Sequence, residues 1–242
     1  VGGSAAPQAM IEAFEKRHGL RILHAWGMTE TCPLGSVSEL TTREKALTEE
    51  EQYEYRAKQG LPAPFFEIRA RGAEGIVPWD GETMGELEVR GVWVSSSYYE
   101  SPEGANRWTD DGWFKTGDIV TIDERGFIEI QDRSKDVIKS GGEWISSVLM
   151  ENALMGHPAV AEAAVIAVPD PKWQERPLAV LVFREGRSAS PEELREHLAA
   201  EGFAKWQLPD RFEAVDEIPK TAVGKFRKTA LRDQFAPQAV EA

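Results

Sequence analysis

The chain has 242 residues, 41% apolar and 29% charged, with a formal net charge of -13. That length suits one large or two ordinary globular domains, and the negative balance argues against general nucleic-acid binding, which needs positive charge against phosphate. No apolar run reaches the roughly 20 residues of a membrane helix, no cationic region followed by an apolar stretch opens the chain, and the single cysteine, Cys32, has no internal disulfide partner, so the expected setting is the reducing cytoplasm.

The chain starts Val1-Gly2-Gly3-Ser4 without methionine and reads as a piece of something longer. Pro7 to His18 carries apolar residues at helical spacing (Met10, Ile11, Phe14) and stops at Gly19. Leu20 to Ala25 predicts a short buried strand, followed by a loop from Gly27 to Gly35. Thr42 to Gln59 is strongly charged and predicts one helix ended by Gly60. Phe65–Ala70, Gly85–Arg90 and Phe127–Gln131 alternate apolar and polar residues and predict strands of a twisted antiparallel sheet or small barrel. Asp110-Asp111-Gly112 and Asp123 to Gly126 are turn signals. Asp118 falls in what reads as a loop between β segments.

After Asp132 the pattern changes. Ser146–Met155 predicts a helix stopped by Gly156 and Pro158, and Ala163–Val168 and Leu178–Phe183 predict apolar strands. Ser190-Pro191-Glu192-Glu193 opens a further helix with a capping box, and Gly202 ends it. The domain boundary is expected near Asp132–Lys135. Cys32, Trp173 and Trp206 read as packing residues, and the four histidines show no metal-ligand spacing.

Five basic residues and no acidic one lie between Ile218 and Arg232 (Lys220, Lys225, Arg227, Lys228, Arg232). In so acidic a chain this predicts a phosphate-facing surface, against the plainer reading of a solvated basic face. Gly27 permits close backbone approach, Thr29 offers a hydroxyl for a phosphate oxygen, and Glu30 offers the hard oxygen that Mg2+ prefers. Trp26 is either a flat ring for stacking on a base or a core tryptophan. Asp118 can accept hydrogen bonds from two sugar hydroxyls. Gly141-Gly142 either admits a narrow ligand arm or forms a plain turn.

In order and spacing, Trp26-Gly27-Met28-Thr29-Glu30, Lys115-Thr116-Gly117-Asp118, Asp132-Arg133-Ser134-Lys135-Asp136, Lys139-Ser140-Gly141-Gly142-Glu143 and Pro219-Lys220-Thr221-Ala222-Val223-Gly224-Lys225 resemble the adenylate-forming superfamily. That superfamily comprises acyl-CoA synthetases, nonribosomal peptide adenylation domains and luciferases. The resemblance is strongest to bacterial medium- to long-chain fatty acyl-CoA synthetases and covers essentially the whole sequence. It implies an α+β chain: residues 1–133 as the end of a large α/β domain with a β-rich, barrel-like antiparallel subdomain, and residues 134–242 as a small mobile α+β domain.

The resemblance also implies roles. Gly3, Trp26, Gly27, Met28, Thr29, Asp118, Arg133, Lys139 and Lys225 would line the ATP or adenylate site, and Glu30 would hold Mg2+. Lys225 and Thr29 would be catalytic and Lys135 the hinge, while Gly141, Gly142 and Trp144 would face CoA. ATP, a fatty acid and CoA are the expected small-molecule partners. The expected protein partner is either the missing N-terminal part or a second copy of the chain. The family's loop over the β- and γ-phosphates would lie before Gly2, so this chain alone is expected to be inactive. The rival readings are a carrier-protein-loading adenylation domain, an inactive truncated binding module and, more remotely, a luciferase-like oxidase.

Overall fold

The computed structural model describes residues 1–3, 6–220 and 226–236, without the side chains at 102, 103 and 105. The chain forms two compact units, Val1–Gln131 and Asp132–Ala242, in a mixed α+β fold dominated by antiparallel sheets.

In the first unit, helix α1 (Gln8–His18) ends as its sequence predicts, with Gly19 left-handed at φ 64° and its N–H bonded back to the Glu15 carbonyl. Ile11 of α1 packs with Ala6 and Tyr53. The predicted buried strand at Leu20–Ala25 does not form as such. Strand β1 covers only Ala25–Gly27; before it, Leu20 and Leu23 are exposed, and only Ile22, against the Ala6, Ile11 and Tyr53 cluster, and His24 turn inward. The single helix predicted over Thr42–Gln59 is also corrected. A 3-10 turn (Glu44–Ala46) precedes α2 (Glu49–Ala57). Thr48 divides them: its hydroxyl accepts from the Glu51 N–H while the Glu51 carboxylate accepts from the Thr48 N–H, which makes it a helix start and not a helix interior.

Strand β1 pairs antiparallel with β2 (Leu34–Val37), which pairs with β3 (Leu61–Pro62). The second sheet contains β4 (Phe66–Gly72), β5 (Gly75–Ile76), β6 (Gly85–Gly91), β7 (Phe114–Ile122) and β8 (Ile128–Arg133), ordered β5-β4-β6-β7-β8. Phe66, Ile68, Ala70, Leu87, Val89, Phe114, Val120, Ile122 and Ile128 form its core together with Trp26. Strand β7 is the element the sequence hides. Lys115 pairs with Glu88 and Ile119 with Glu86, so Thr116-Gly117-Asp118 bulges out opposite Leu87, with Gly117 at φ 78°. A Gly-Asp pair in mid-strand reads as a turn, but the sheet absorbs it as a β-bulge.

The second unit has the strand order β10-β9-β12-β11, where β9 is Ile138–Ser140, β10 Glu143–Ile145, β11 Val160–Asp170 and β12 Gln174–Phe183. A last strand, β13 (Arg211–Ala214), runs parallel to β12. Helices α3 (Ser147–Gly156) and α4 (Pro191–Ala200) pack on one face, where Ala163, Val165, Ala179 and Leu181 meet Met150, Leu154, Leu194 and Leu198. Helix α5 (Lys228–Phe235) covers the other face through Leu231, against Ala164, Ile166, Leu178 and Val180. Burial on both faces explains why β11 and β12 read as unbroken apolar runs. The Ser190 and Glu193 capping box forms as predicted.

Candidate nucleotide and acyl-transfer site

Each unit carries its own share of the candidate residues. In the first, Trp26 is the middle residue of β1 and donates its indole N–H to Asp118 Oδ2 at 2.9 Å. Both residues are buried, at 7% and 2% exposure. The Trp26 ring meets Phe66 edge-on at 6.4 Å and lies so close to Gly35 that a Cβ there would come within 2.3 Å of it. Trp26 is therefore packed in the core, and through its N–H it also fixes one oxygen of Asp118. The loop location expected for Asp118 is corrected: it lies within β7, as the last residue of the bulge, with its own N–H bonded to Thr116 Oγ1 at 3.1 Å.

Gly27 has a definite steric task. A Cβ there would fall 1.7 Å from the Pro33 carbonyl oxygen, so its closest approach is to its own chain. The segment then turns at Thr29–Thr31, a 3-10 turn held by Thr31, whose hydroxyl donates to the Pro33 carbonyl at 2.8 Å and accepts from the Met28 N–H at 3.0 Å. This leaves Thr29 exposed and Glu30 half-buried. The Tyr98 hydroxyl donates to Glu30 Oε1, and that hydrogen bond to a carboxylate pushes the tyrosine pKa up. Tyr98 was not foreseen, because a lone tyrosine 68 residues away carries no spacing signal. Gly3 is left-handed at φ 80° and follows a segment joined to β1 by the Ala25 N–H bond to the Val1 carbonyl.

Among the described residues no group of three or more His, Cys, Asp or Glu side chains could hold a metal ion. Glu30 offers a single carboxylate. That fits Mg2+, which is commonly held by one or two carboxylates together with substrate phosphates.

In the second unit, Lys135 is exposed in the turn Ser134–Asp136, closed by the Asp136 and Val137 N–H groups on the Arg133 carbonyl, both at 2.8 Å. Gly141 and Gly142, at φ 63° and 91°, make the two-residue hairpin between β9 and β10. Lys139 and Trp144 face each other across that hairpin, and the Lys139 N–H donates to Glu175 Oε2 at 2.7 Å. Trp173 lies over the turn: the Gly141 N–H bonds its carbonyl at 2.9 Å, and a Cβ on Gly141 would lie 2.9 Å from its ring. Trp173, Trp206 and Cys32 are all exposed, which corrects the expectation that they pack inside.

Lys225 lies outside the described residues. The basic cluster around it is less free than the sequence suggests: Lys220 pairs with Glu162 at 2.5 Å, Lys228 with Glu151 at 2.6 Å and Arg232 with Asp136 at 2.7 Å. These partners come from distant parts of the sequence, so the local run could not reveal them. Arg227 stays exposed.

Residues 1–99 match the AMP-binding enzyme family, and residues 149–225 match the AMP-binding enzyme C-terminal domain. The long-chain-fatty-acid–CoA ligase of Thermus thermophilus is 53% identical over 237 residues, and a 3-methylmercaptopropionyl-CoA ligase of Ruegeria lacuscaerulensis is 47% identical over 236. Each alignment covers 97% of this chain and 43% of the relative, so the chain spans less than half the length of these relatives. Among solved structures, o-succinylbenzoate-CoA synthetase from Bacillus subtilis in complex with its acyl-adenylate intermediate superposes with a TM-score of 0.78. It is 32% identical, over 98% of this chain and 46% of that one. With both family models matched in chain order, the chain belongs to the AMP-binding, adenylate-forming enzymes.

Proposed function

We propose that the chain is the C-terminal part of an AMP-forming fatty acid–CoA ligase. The observation that carries this reading is the buried Trp26–Asp118 hydrogen bond, which links the Gly27-Met28-Thr29-Glu30 segment to the acidic residue of the second motif, 92 residues away. One wall of a nucleotide site results: a carboxylate for two ribose hydroxyls, with a Thr hydroxyl and a carboxylate following on the same short segment.

In the first step an acid's carboxylate oxygen attacks the α-phosphorus of ATP, and the bond to pyrophosphate breaks. Gly3, Gly27 and Met28 line the nucleotide, Thr29 donates to an α-phosphate oxygen, and Asp118 and Arg133 hold the ribose. Glu30 contributes a ligand to Mg2+, whose chemistry is neutralisation of phosphate charge. Lys225 brings the two anions together and stabilises the charge that develops between them. In the second step the second unit turns about Lys135. The Gly141-Gly142 turn, flanked by Lys139 and Trp144, then lines the path of the CoA thiol, whose sulfur attacks the acyl carbon as the bond to AMP breaks. One unit used in two orientations needs a two-state equilibrium that its ligands bias.

The acceptor has firmer support than the acid. The two relatives named above differ in the acid they are named for, while both names end in CoA ligase. Joined to the N-terminal part that its relatives carry, the chain is expected to support ATP–pyrophosphate exchange driven by a fatty acid and to pass the acyl group to CoA, not to a carrier protein. Lys225→Ala should lower the exchange by about 10²–10³ and largely spare thioester formation from supplied acyl-adenylate. Equal loss in both half-reactions would overturn the role given to Lys225.

A further inference from the structure

The second unit contains a buried polar chain that the proposed reaction does not use. Lys228, on the first turn of α5, donates from Nζ to Glu151 Oε1 at 2.6 Å and to Ser147 Oγ at 2.6 Å. The hydroxyl and N–H of Ser147 both donate to Asp132 Oδ2 at 2.6 Å, and Asp132 Oδ1 accepts the Arg133 N–H at 2.7 Å. Asp132, Ser147 and Glu151 are buried, at 2%, 0% and 7% exposure. One helical turn beyond Lys228, on the same face of α5, Arg232 Nη2 donates to the Lys135 carbonyl at 3.0 Å and to Asp136 Oδ1 at 2.7 Å. Helix α5 therefore grips the segment 132–136 at both ends, through Ser147 at Asp132 and directly at Lys135 and Asp136.

The same helix begins three residues after Lys225. The residues that flank positions 221–225, among which Lys225 falls, are joined by a bridge between Lys220 and Phe226 and by the Arg227 N–H on the Pro219 carbonyl at 2.7 Å. Stability alone does not account for the chain of contacts. Leu231 already docks α5 by apolar burial, and a buried ion pair is a weak stabiliser relative to a well-packed apolar pair. The best-attested use of such contacts is a fixed register.

We infer that Lys228, with Arg232, is a positioning residue that clasps the residues flanking Lys225 to the segment 132–136, so that those flanking residues and the hinge segment move as one body. The inference rests on the proposed function for the roles of Lys135 as hinge and Lys225 as catalytic residue, while the clasp itself is independent of it.

Two readouts separate the two. The first is hydrogen–deuterium exchange on the full chain. In Lys228→Met and in Arg232→Gln the Asp136 and Val137 amides, which close the hinge turn, should lose at least about tenfold of their protection together with the Arg227 amide, which bonds the Pro219 carbonyl, and Lys228→Arg should restore most of it. Changes confined to α5 amides would overturn the clasp. Arg232→Gln, at a less buried position, serves this test if Lys228→Met does not fold. The second is kinetic, on the chain joined to its relatives' N-terminal part. Lys228→Met should slow ATP–pyrophosphate exchange about tenfold without a matching rise in the KM for ATP, with recovery in Lys228→Arg; exchange unchanged in a folded variant would overturn the positioning role. If the unsubstituted protein exchanges pyrophosphate with no acid, the functional reading falls, and the amide protection alone decides the clasp.

Discussion

Trp26 packs in the core and, through its indole N–H, also holds Asp118 of the proposed site. Trp26→Phe keeps an aromatic ring against Phe66 and Gly35 but removes the N–H donated to a buried carboxylate. A hydrogen bond to a charged group contributes about 1.5–3 kcal/mol, so the chain should lose stability of that order in urea unfolding. A Trp26→Phe chain as stable as the parent would show that Asp118 does not depend on the indole. Asp80 gives a pH-dependent counterpart. Its carboxylate accepts from Thr83 Oγ1 at 2.6 Å, the Thr83 N–H at 2.8 Å and the Glu82 N–H at 2.9 Å. Led by the Thr83 hydroxyl, these bonds lower its pKa from 3.8 to about 2. The unfolded chain then binds more protons between those values, so this contribution is complete above pH 3.8 and is lost as pH falls through about 2. The difference in stability between Asp80→Asn and the parent should shrink across that window in acid titrations. A constant difference would remove Asp80 from the acid limb.

The β9–β10 hairpin separates two costs of a side chain that single substitutions usually mix. Gly141 and Gly142 both have positive φ, but only at Gly141 would a Cβ meet another group, the Trp173 ring at 2.9 Å. Gly142→Ala should lose about 1–2 kcal/mol through backbone conformation alone, and Gly141→Ala should lose more, because Trp173 must also move. Equal losses in thermal unfolding would mean that Trp173 yields freely. Elements also mark the limit of reading by pattern. The α4 capping box and the α1 stop were legible because local hydrogen bonding decides them within a few residues. Strand β7 and the break at Thr48 were not. A bulge depends on the partner strand β6, and a charged run reads as helix on either side of an internal cap.

At the scale of the molecule, the second unit encloses apolar residues on both faces of its sheet from its own chain. A polypeptide of residues 132–242 should therefore fold alone, with dispersed amide resonances, and collapsed amide dispersion would refute this. The whole 242-residue chain should make no fatty acyl-CoA by itself, because it spans only 43% of the relatives it matches and carries a net charge of -13 against an anionic nucleotide; turnover of fatty acid, ATP and CoA by the purified chain would overturn that.

The sequence by itself determined the family, because the motifs of this fold are short, ordered runs whose chemistry is written in consecutive residues. It also determined the helix caps and the apolar strands of the second unit, where local bonding and periodicity suffice. Only the tertiary structure decided that Asp118 sits in a bulged strand held by Trp26, that Glu30 is met by Tyr98, and that much of the basic run near Lys225 is paired internally. Each of those facts joins residues at least 58 positions apart, and contacts at that range are fixed by how sheets and helices pack, not by any pattern along the chain.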